Sequence, residues 1–248
     1  MRLDPHSYAD VGQPRTRSID LALRVDFSRR TLEGEIALHF HASGGGKVDL
    51  DTRDLRIDAV TSLAGASLAY ELAPAQPVLG SRLRVTLPTG AAGLRIRYGT
   101  SPAASALQWL EPAQTAGGQS FLFSQCQPIH ARSLAPLQDT PRIRITVGSA
   151  RFTVPSQLRT LMAAASKGRE PSSDTEAVDV FEMPQPIPPY LLAGETAALK
   201  VDKVRGSFAG ARRVRLRGPL VETFEVDAAF GRLATAPRRI FDAPASSE

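Results

Sequence analysis

Any chemistry in this sequence has to come from a short list of side chains. Among 248 residues there are four histidines, His6, His39, His41 and His130, and one cysteine, Cys126. A single cysteine excludes an intramolecular disulfide and any zinc site built from several thiolates. Cys126 and His130 share the segment Phe121-Leu-Phe-Ser-Gln-Cys-Gln-Pro-Ile-His-Ala-Arg132. A thiolate beside an imidazole is a nucleophile with its base. No cysteine-hydrolase signature surrounds the pair, however, and a lone cysteine among apolar neighbours reads more simply as a small buried apolar group. His130 then reads as a core or supporting histidine that donates to a backbone carbonyl.

His39 and His41 lie two residues apart on a run of strand character and so share one face, together with Glu33 and Glu35. Ile36, Leu38 and Phe40 occupy the opposite parity, so the histidine face is the solvent face and supports at most an adventitious metal. No Gly-rich phosphate loop follows a strand, and no His-Glu-x-x-His helix or ordered Ser-His-Asp set is present. The sequence therefore assigns no catalytic residue and no metal ligand.

Charge is a second resource. The formal net charge is +5, from 30 Lys and Arg against 25 Asp and Glu. Between residues 200 and 217 seven basic residues face one acid, Asp202. There Arg213, Arg215 and Arg217 alternate with Val214 and Leu216, which places three guanidiniums on one strand face and makes a candidate anion surface. Only Phe208 is at hand for stacking, so nucleic acid is not the expected partner. A solvated strand face, or one that meets an acidic partner, is the simpler reading.

The elements that must position these groups are strands. Ile19, Leu21, Leu23, Val25 and Phe27 alternate with polar residues, and after Ser28-Arg29-Arg30 the rhythm resumes at Leu32, Ile36, Leu38 and Phe40, which predicts a β-hairpin. Gly44-Gly45-Gly46 punctuates the chain. Short runs follow at Val48 to Leu50, Leu55 to Val60, Leu68 to Leu72, Leu83 to Leu87 and Leu94 to Tyr98. Further candidates are Phe121 to Phe123, Ile143 to Val147, Phe152 to Val154 and Tyr190 to Leu192. The expected fold is an all-β, multi-sheet antiparallel domain. One short helix is predicted near residues 157–166 from Leu158, Leu161, Met162 and Ala163 to Ala165, ended by Gly168. A marginal helix is predicted near 219–234. Residues 169–177 are expected to be an exposed loop, Pro184 to Pro189 an extended connection that is neither helix nor central strand, and the end beyond Pro244 disordered.

No apolar stretch approaches the length of a membrane span, and no apolar run follows the N-terminus, so a soluble cytoplasmic protein is expected.

Several segments, taken in order, strengthen the β reading. Ser105-Ala-Leu-Gln-Trp-Leu110, Thr115, Phe121-Leu-Phe-Ser-Gln-Cys-Gln-Pro-Ile-His130 and Gln138-Asp-Thr-Pro141 are joined by Val25 to Gly34, Leu50-Asp-Thr-Arg-Asp-Leu55, Phe152-Thr-Val-Pro155 and Ile187-Pro-Pro-Tyr-Leu-Leu192. Together they resemble the N-terminal domain of the zinc aminopeptidases of the leukotriene hydrolase type, relatives of aminopeptidase N. The resemblance implies a saddle-shaped β domain over residues 18–198, preceded by an N-terminal extension (1–17) and followed by a basic, degenerate tail (199–248). It also implies that the Gln-x-Gln motif, here Gln125 and Gln127, lies beside a cleft and helps hold the amino end of a peptide. The alternative is that both amides satisfy buried backbone groups. The family's zinc-binding His-Glu-x-x-His helix and its Gly-x-Met-Glu-Asn loop have no counterpart among these residues, so zinc belongs to the resembled family and not to this chain. The expectation is a non-catalytic peptide- or protein-binding module. Its partners would be a peptide N-terminus, a catalytic-domain protein, or a second copy meeting it through an exposed apolar face. The alternatives are a truncated or split zinc metallo-aminopeptidase that needs a separate catalytic polypeptide, or a degenerate remnant.

Overall fold

A computed structural model of the chain describes residues 2–115, 118–192 and 194–197, together with the backbone of three short strands within 214–235. The chain divides into two compact units, residues 1–109 with 122–196, and residues 110–121 with 197–248.

The first unit is built on one large sheet. Its strands are β1 (Thr16–Asp26), β2 (Thr31–Thr52), β3 (Arg56–Ser62), β4 (Tyr70–Leu72) and β5 (Ser81–Gly99), followed after two further strands by β8 (Ile145–Pro155), β10 (Ala165–Pro171) and β11 (Glu176–Ile187). The omitted numbers belong to β6 (Leu107–Leu110), β7 (Phe121–Ser124), β9 (Arg159–Met162) and β12 (Gly194–Ala197). The large sheet runs β10-β11-β8-β1-β2-β5-β3, with β4 on the far part of β5. All pairs that it contains are antiparallel except β1 with β8. A smaller sheet runs β6-β7-β12-β9.

The β1–β2 hairpin follows from alternation. Ile19, Leu21, Leu23 and Val25 are all buried, the residues between them are wetter, and the register runs from Asp26 opposite Thr31 to Ile19 opposite Leu38. Gly34 has φ +156°, and a Cβ there would sit 1.9 Å from the Ala22 carbonyl oxygen, so only glycine fits this close strand approach. The glycine triplet at 44–46 does not interrupt the chain as expected. β2 continues through it with register shifts between His39, Gly44 and Gly46, a bulged bend in a 22-residue strand.

Three helix and loop expectations give way to strand. Residues 157–166 form β9 and the start of β10 instead of a helix. Their helix-forming residues are overruled by tertiary partners, since the Thr160 N–H donates to Asp179 Oδ2 at 2.7 Å and Arg169 ties that carboxylate to the Leu158 and Ser156 carbonyls. The expected loop over 169–177 shrinks, because β10 extends to Pro171 and β11 begins at Glu176. The predicted helix near 219–234 is replaced by β14 (Phe224–Asp227) and β15 (Arg232–Thr235), which pair antiparallel beside β13 (Val214–Leu216). Phe224-Glu-Val-Asp227 carries the period-2 pattern that a helical count across the wider segment hides. Pro184 and Pro186 fall inside β11, in a stretch where the pairing skips from Met183 to Ile187, so the run is extended as expected but belongs to a strand. Tyr190 to Leu192 is not a strand; Pro189–Leu191 is a 3-10 turn. Residues beyond 235, including the expected disordered end, lie outside the described set.

Part of the N-terminal segment is packed into the protein. Ser7 and Ala9 are fully buried and Tyr8 nearly so. Among the described residues no helix is long and apolar enough to cross a membrane.

Candidate functional site

The loop that carries Gln125 and Gln127 leaves the end of β7 and enters a four-residue helix, α1 (Ala131–Leu134), all of whose residues are buried. Both ends of the loop are fixed. At its start the Gln125 N–H donates to the Ala106 carbonyl at 2.8 Å, and the Cys126 thiol donates to the Leu192 carbonyl at 3.0 Å. At its end the His130 N–H donates to the Cys126 carbonyl at 2.8 Å, and the peptide between Gln127 and Pro128 is cis.

Within this frame Cys126 is fully buried, and burial pushes its thiol up to about 12. A thiol in that state is not a nucleophile at neutral pH, so the nucleophile–base pairing of Cys126 with His130 does not exist. Gln125 and Gln127 flank it with exposed side chains. The Gln125 Oε1 accepts the Gln127 N–H at 3.0 Å, whereas the Gln127 amide makes no hydrogen bond to any described residue. Neither amide serves a buried backbone group; one shapes the loop and the other faces solvent.

His130 sits in a polar group that sequence reasoning did not assemble. The Arg53 guanidinium lies 3.3 Å from its Nδ1, and the Ser105 Oγ lies 2.8 Å from the same nitrogen. A guanidinium only donates, so Nδ1 is the acceptor and the neutral ring carries its proton on Nε2. Burial, and then the charge of Arg53, hold the imidazole below its usual range. The expectation that His130 donates to a backbone carbonyl is therefore replaced by an imidazole that accepts from an arginine. Ser133 completes the group. Its Oγ donates to the His130 carbonyl at 2.8 Å and accepts the Ala106 N–H at 2.9 Å.

Behind the loop lies a buried ionic cluster, also missed. Arg132 has no exposed surface, yet all of its guanidinium nitrogens are used: Nε meets Asp139 Oδ2 at 3.0 Å, Nη1 the Leu79 carbonyl at 2.8 Å, and Nη2 the carbonyls of His6 at 2.7 Å and Asp139 at 3.2 Å. Asp51, also fully buried, accepts from Ser7 Oγ at 2.6 Å, the Tyr8 N–H at 2.8 Å and the Asp139 N–H at 2.8 Å. Burial, opposed first by Arg132, pushes its carboxyl up to about 6. The alternation around Leu50 puts Asp51 on the wet parity. It is buried because residues 7–9 and 137–139 cover that side of β2.

The remaining expectations are placed as follows. His39 pairs with Asp20 at 2.8 Å on a partly exposed face and does not join His41. Among the described residues no group of three or more His, Cys, Asp or Glu side chains could hold a metal. A zinc centre does not fit the described residues. Arg215 stands opposite Glu225 in the β13–β14 pairing, while Arg213 and Arg217 lie outside the described residues. A small apolar cavity of about 40 Å³ lies beneath the sheets, bounded by Leu21, Leu23, Leu122 and Leu192 among others, too small for a substrate.

The comparisons with known proteins decide the family. The model of the peptidase M1 N-terminal domain matches residues 5–191. The chain belongs to the peptidase M1 family. Leukotriene A-4 hydrolase of Xenopus laevis is 36% identical over 211 residues, covering 81% of this chain and 34% of the relative. Leucine aminopeptidase 2 of Chaetomium globosum is 31% identical, covering 86% of this chain and 36% of the relative. Among solved structures, yeast LTA4 hydrolase in complex with bestatin superposes with a TM-score of 0.71 at 28% identity, over 80% of this chain and 31% of that one. An M1 zinc metallopeptidase of Deinococcus radiodurans shares the fold at 21% identity, with a TM-score of 0.63 over 81% of this chain and 46% of that one. The M1 match thus covers the N-terminal domain, and the chain spans about a third of the length of the curated relatives it matches. Both glutamines and the buried cluster fall within the matched residues.

Proposed function

We propose that this chain supplies the peptide-facing wall of an M1-type cleft and does not itself carry the hydrolytic centre. The observation that carries the reading is the loop at 125–130: it is anchored at both ends, yet it presents an exposed Gln127 amide with no partner among the described residues. An amide oxygen accepts from the ammonium of a peptide's amino end without adding charge. The Nε2–H of His130 and the exposed amide nitrogen of Gln125 add donors on the same loop for a peptide carbonyl. In this role the chain acts as a peptide- or protein-binding module, and its natural complement is a polypeptide that bears the zinc ligands, whether separate or continuous with it. The share of its relatives that it spans favours such a complement over a self-contained activity. A second copy docking through exposed apolar residues such as Tyr70 and Leu72 is a further arrangement of the same module. A cytoplasmic location belongs to the same reading, since a single unpaired thiol suits a reducing compartment.

The test is binding of a short peptide with a free amino end against its N-acetylated twin, measured by calorimetry on the whole chain. The free amine should bind more tightly, and Gln127→Ala should abolish the difference. Equal binding of the two peptides would overturn the role of Gln127. Hydrolysis of aminoacyl-nitroanilides by the purified chain, with or without zinc, would overturn the non-catalytic reading.

A further inference from the structure

Many arginines of the first unit are matched to acids. Arg24 pairs with Glu176, Arg29 with Glu33, Arg56 with Asp58, Arg84 with Asp49, Arg95 with Glu35, Arg151 with Glu170 and Arg169 with Asp179. One groove departs from this pattern. It has a volume of about 530 Å³ and is lined by Arg15, His41, Arg142 and Arg144 with Val11, Gln13, Pro14, Ala42 and Ile143, and by no carboxylate among the described residues. All four basic side chains are exposed, and none has an ion pair with a described residue. Asp4 feels the charge of Arg142 but spends its oxygens on Thr140 and the His6 N–H. The one uncharged polar side chain of the lining, Gln13, is committed in both directions to Asp49. Three guanidiniums therefore stand around one space with no ion-paired carboxylate among the described residues.

The walls are also pre-organised. The His41 N–H donates to the Arg15 carbonyl at 2.9 Å, which joins the start of β1 to β2. Gln138, almost fully buried, donates to the Pro14 carbonyl at 3.0 Å and accepts the Thr16 N–H at 2.9 Å, and so ties the 14–16 wall to the segment that leads to Arg142 and Arg144. Holding like charges together in the absence of a ligand costs free energy, and an anion that fills the groove recovers it.

We propose that this groove is a binding site for a compact, multiply phosphorylated small molecule. Guanidiniums recognise phosphate oxygens through paired, charge-assisted hydrogen bonds. The volume suits a small ligand, and Val11, Pro14, Ala42 and Ile143 offer apolar contact beside the charge. A nucleic-acid strand is disfavoured because no aromatic side chain lines the groove to stack a base. No residue of the loop at 125–130 lines the groove.

Inorganic tripolyphosphate is the probe. Titrated calorimetrically into the whole chain at low ionic strength, it should bind saturably with one molecule per chain, more tightly than orthophosphate. The Arg142→Ala/Arg144→Ala variant should lose about tenfold or more in affinity, because two of the charge-assisted contacts go. Arg15→Ala, on the opposite wall, should weaken binding in the same direction. An Arg213→Ala/Arg215→Ala/Arg217→Ala variant should bind as the wild type does. Absence of saturable binding, an equal loss in the tail variant, or tighter binding of an oligoglutamate peptide or a single-stranded oligonucleotide than of tripolyphosphate would each overturn the proposal.

Discussion

Replacing Arg132 by methionine tests whether the buried cluster holds this domain together. Methionine roughly preserves the side-chain volume, so the change isolates the polar interactions from cavity formation. The guanidinium is fully buried and serves two carboxylates, Asp139 by a hydrogen bond and Asp51 as an ion pair at 3.8 Å, and three carbonyls, those of His6, Leu79 and Asp139. Breaking a buried ion pair from one side costs about 3–5 kcal/mol, and each buried acceptor left without a donor adds about 1 kcal/mol. The two figures overlap, because part of the carbonyl penalty is already contained in measured pair deletions. The expected destabilisation is therefore about 4–6 kcal/mol, a fall in melting temperature of about 10–20 °C for a domain of this size. Urea unfolding followed by tryptophan fluorescence and by far-ultraviolet dichroism gives the midpoint. Arg132→Lys keeps a charge but reaches fewer acceptors and should fall between wild type and Arg132→Met. A loss below about 1 kcal/mol in Arg132→Met would refute the reasoning, since no buried guanidinium with these partners is dispensable on that scale.

Two other outcomes follow from the same interior. The carboxyl of Asp51 stands at about 6 in the folded chain against 3.8 unperturbed, so the folded state holds this proton more tightly. Its contribution to stability is complete below the unfolded value and is lost as pH rises through about 6, so stability should increase from pH 7 to pH 5 by about 1 kcal/mol, the full value of about 3 kcal/mol being reached only below the unfolded value. Asp139, raised by burial, acts with the same sign, whereas Asp49 and Asp4, lowered by their hydrogen bonds against the effect of burial, reverse the trend only in stronger acid. Thermal melts across that range check it; a flat or falling curve between pH 7 and 5, or an unchanged one in Asp51→Asn, would contradict it. Cys126 should resist iodoacetamide in native buffer and react fully in urea, because its thiol is buried and bonded to the Leu192 carbonyl. Rapid alkylation of the native chain, followed by mass spectrometry, would show that the loop opens.

The large sheet was legible from residue order because its strands bury one face. The alternation at Ile19 to Val25 and at Ile36 to Phe40 states both the strand and its register. What failed was local propensity without that pattern. Leu161 to Ala165 is a good helix sequence, but the Asp179 carboxylate and the Arg169 guanidinium hold the backbone just before it, at Thr160 and Leu158, in an extended course. Asp51 and Arg132 were illegible for a related reason. Their burial depends on segments far away in the chain: residues 6 and 79 for Arg132, and residues 7–8 and 139 for Asp51, which no window around either residue contains. Gln125 and Gln127 were found through motif resemblance alone, and only the coordinates separate the amide that shapes the loop from the one that faces outward.

The two kinds of polar residue are mechanically linked. The loop bearing Gln127 ends at His130, and α1 carries Arg132 two positions later. Because the Arg132 carbonyl also accepts the Arg53 N–H at 2.9 Å, and the Arg53 side chain reaches His130, the cluster fixes the far end of the loop as firmly as the Ala106 and Leu192 carbonyls fix its beginning. A four-residue helix has too few internal hydrogen bonds to hold such a position unaided. In the proposed peptide-binding role the buried charge would therefore act through geometry, sparing Gln127 part of the ordering cost that a mobile loop would incur.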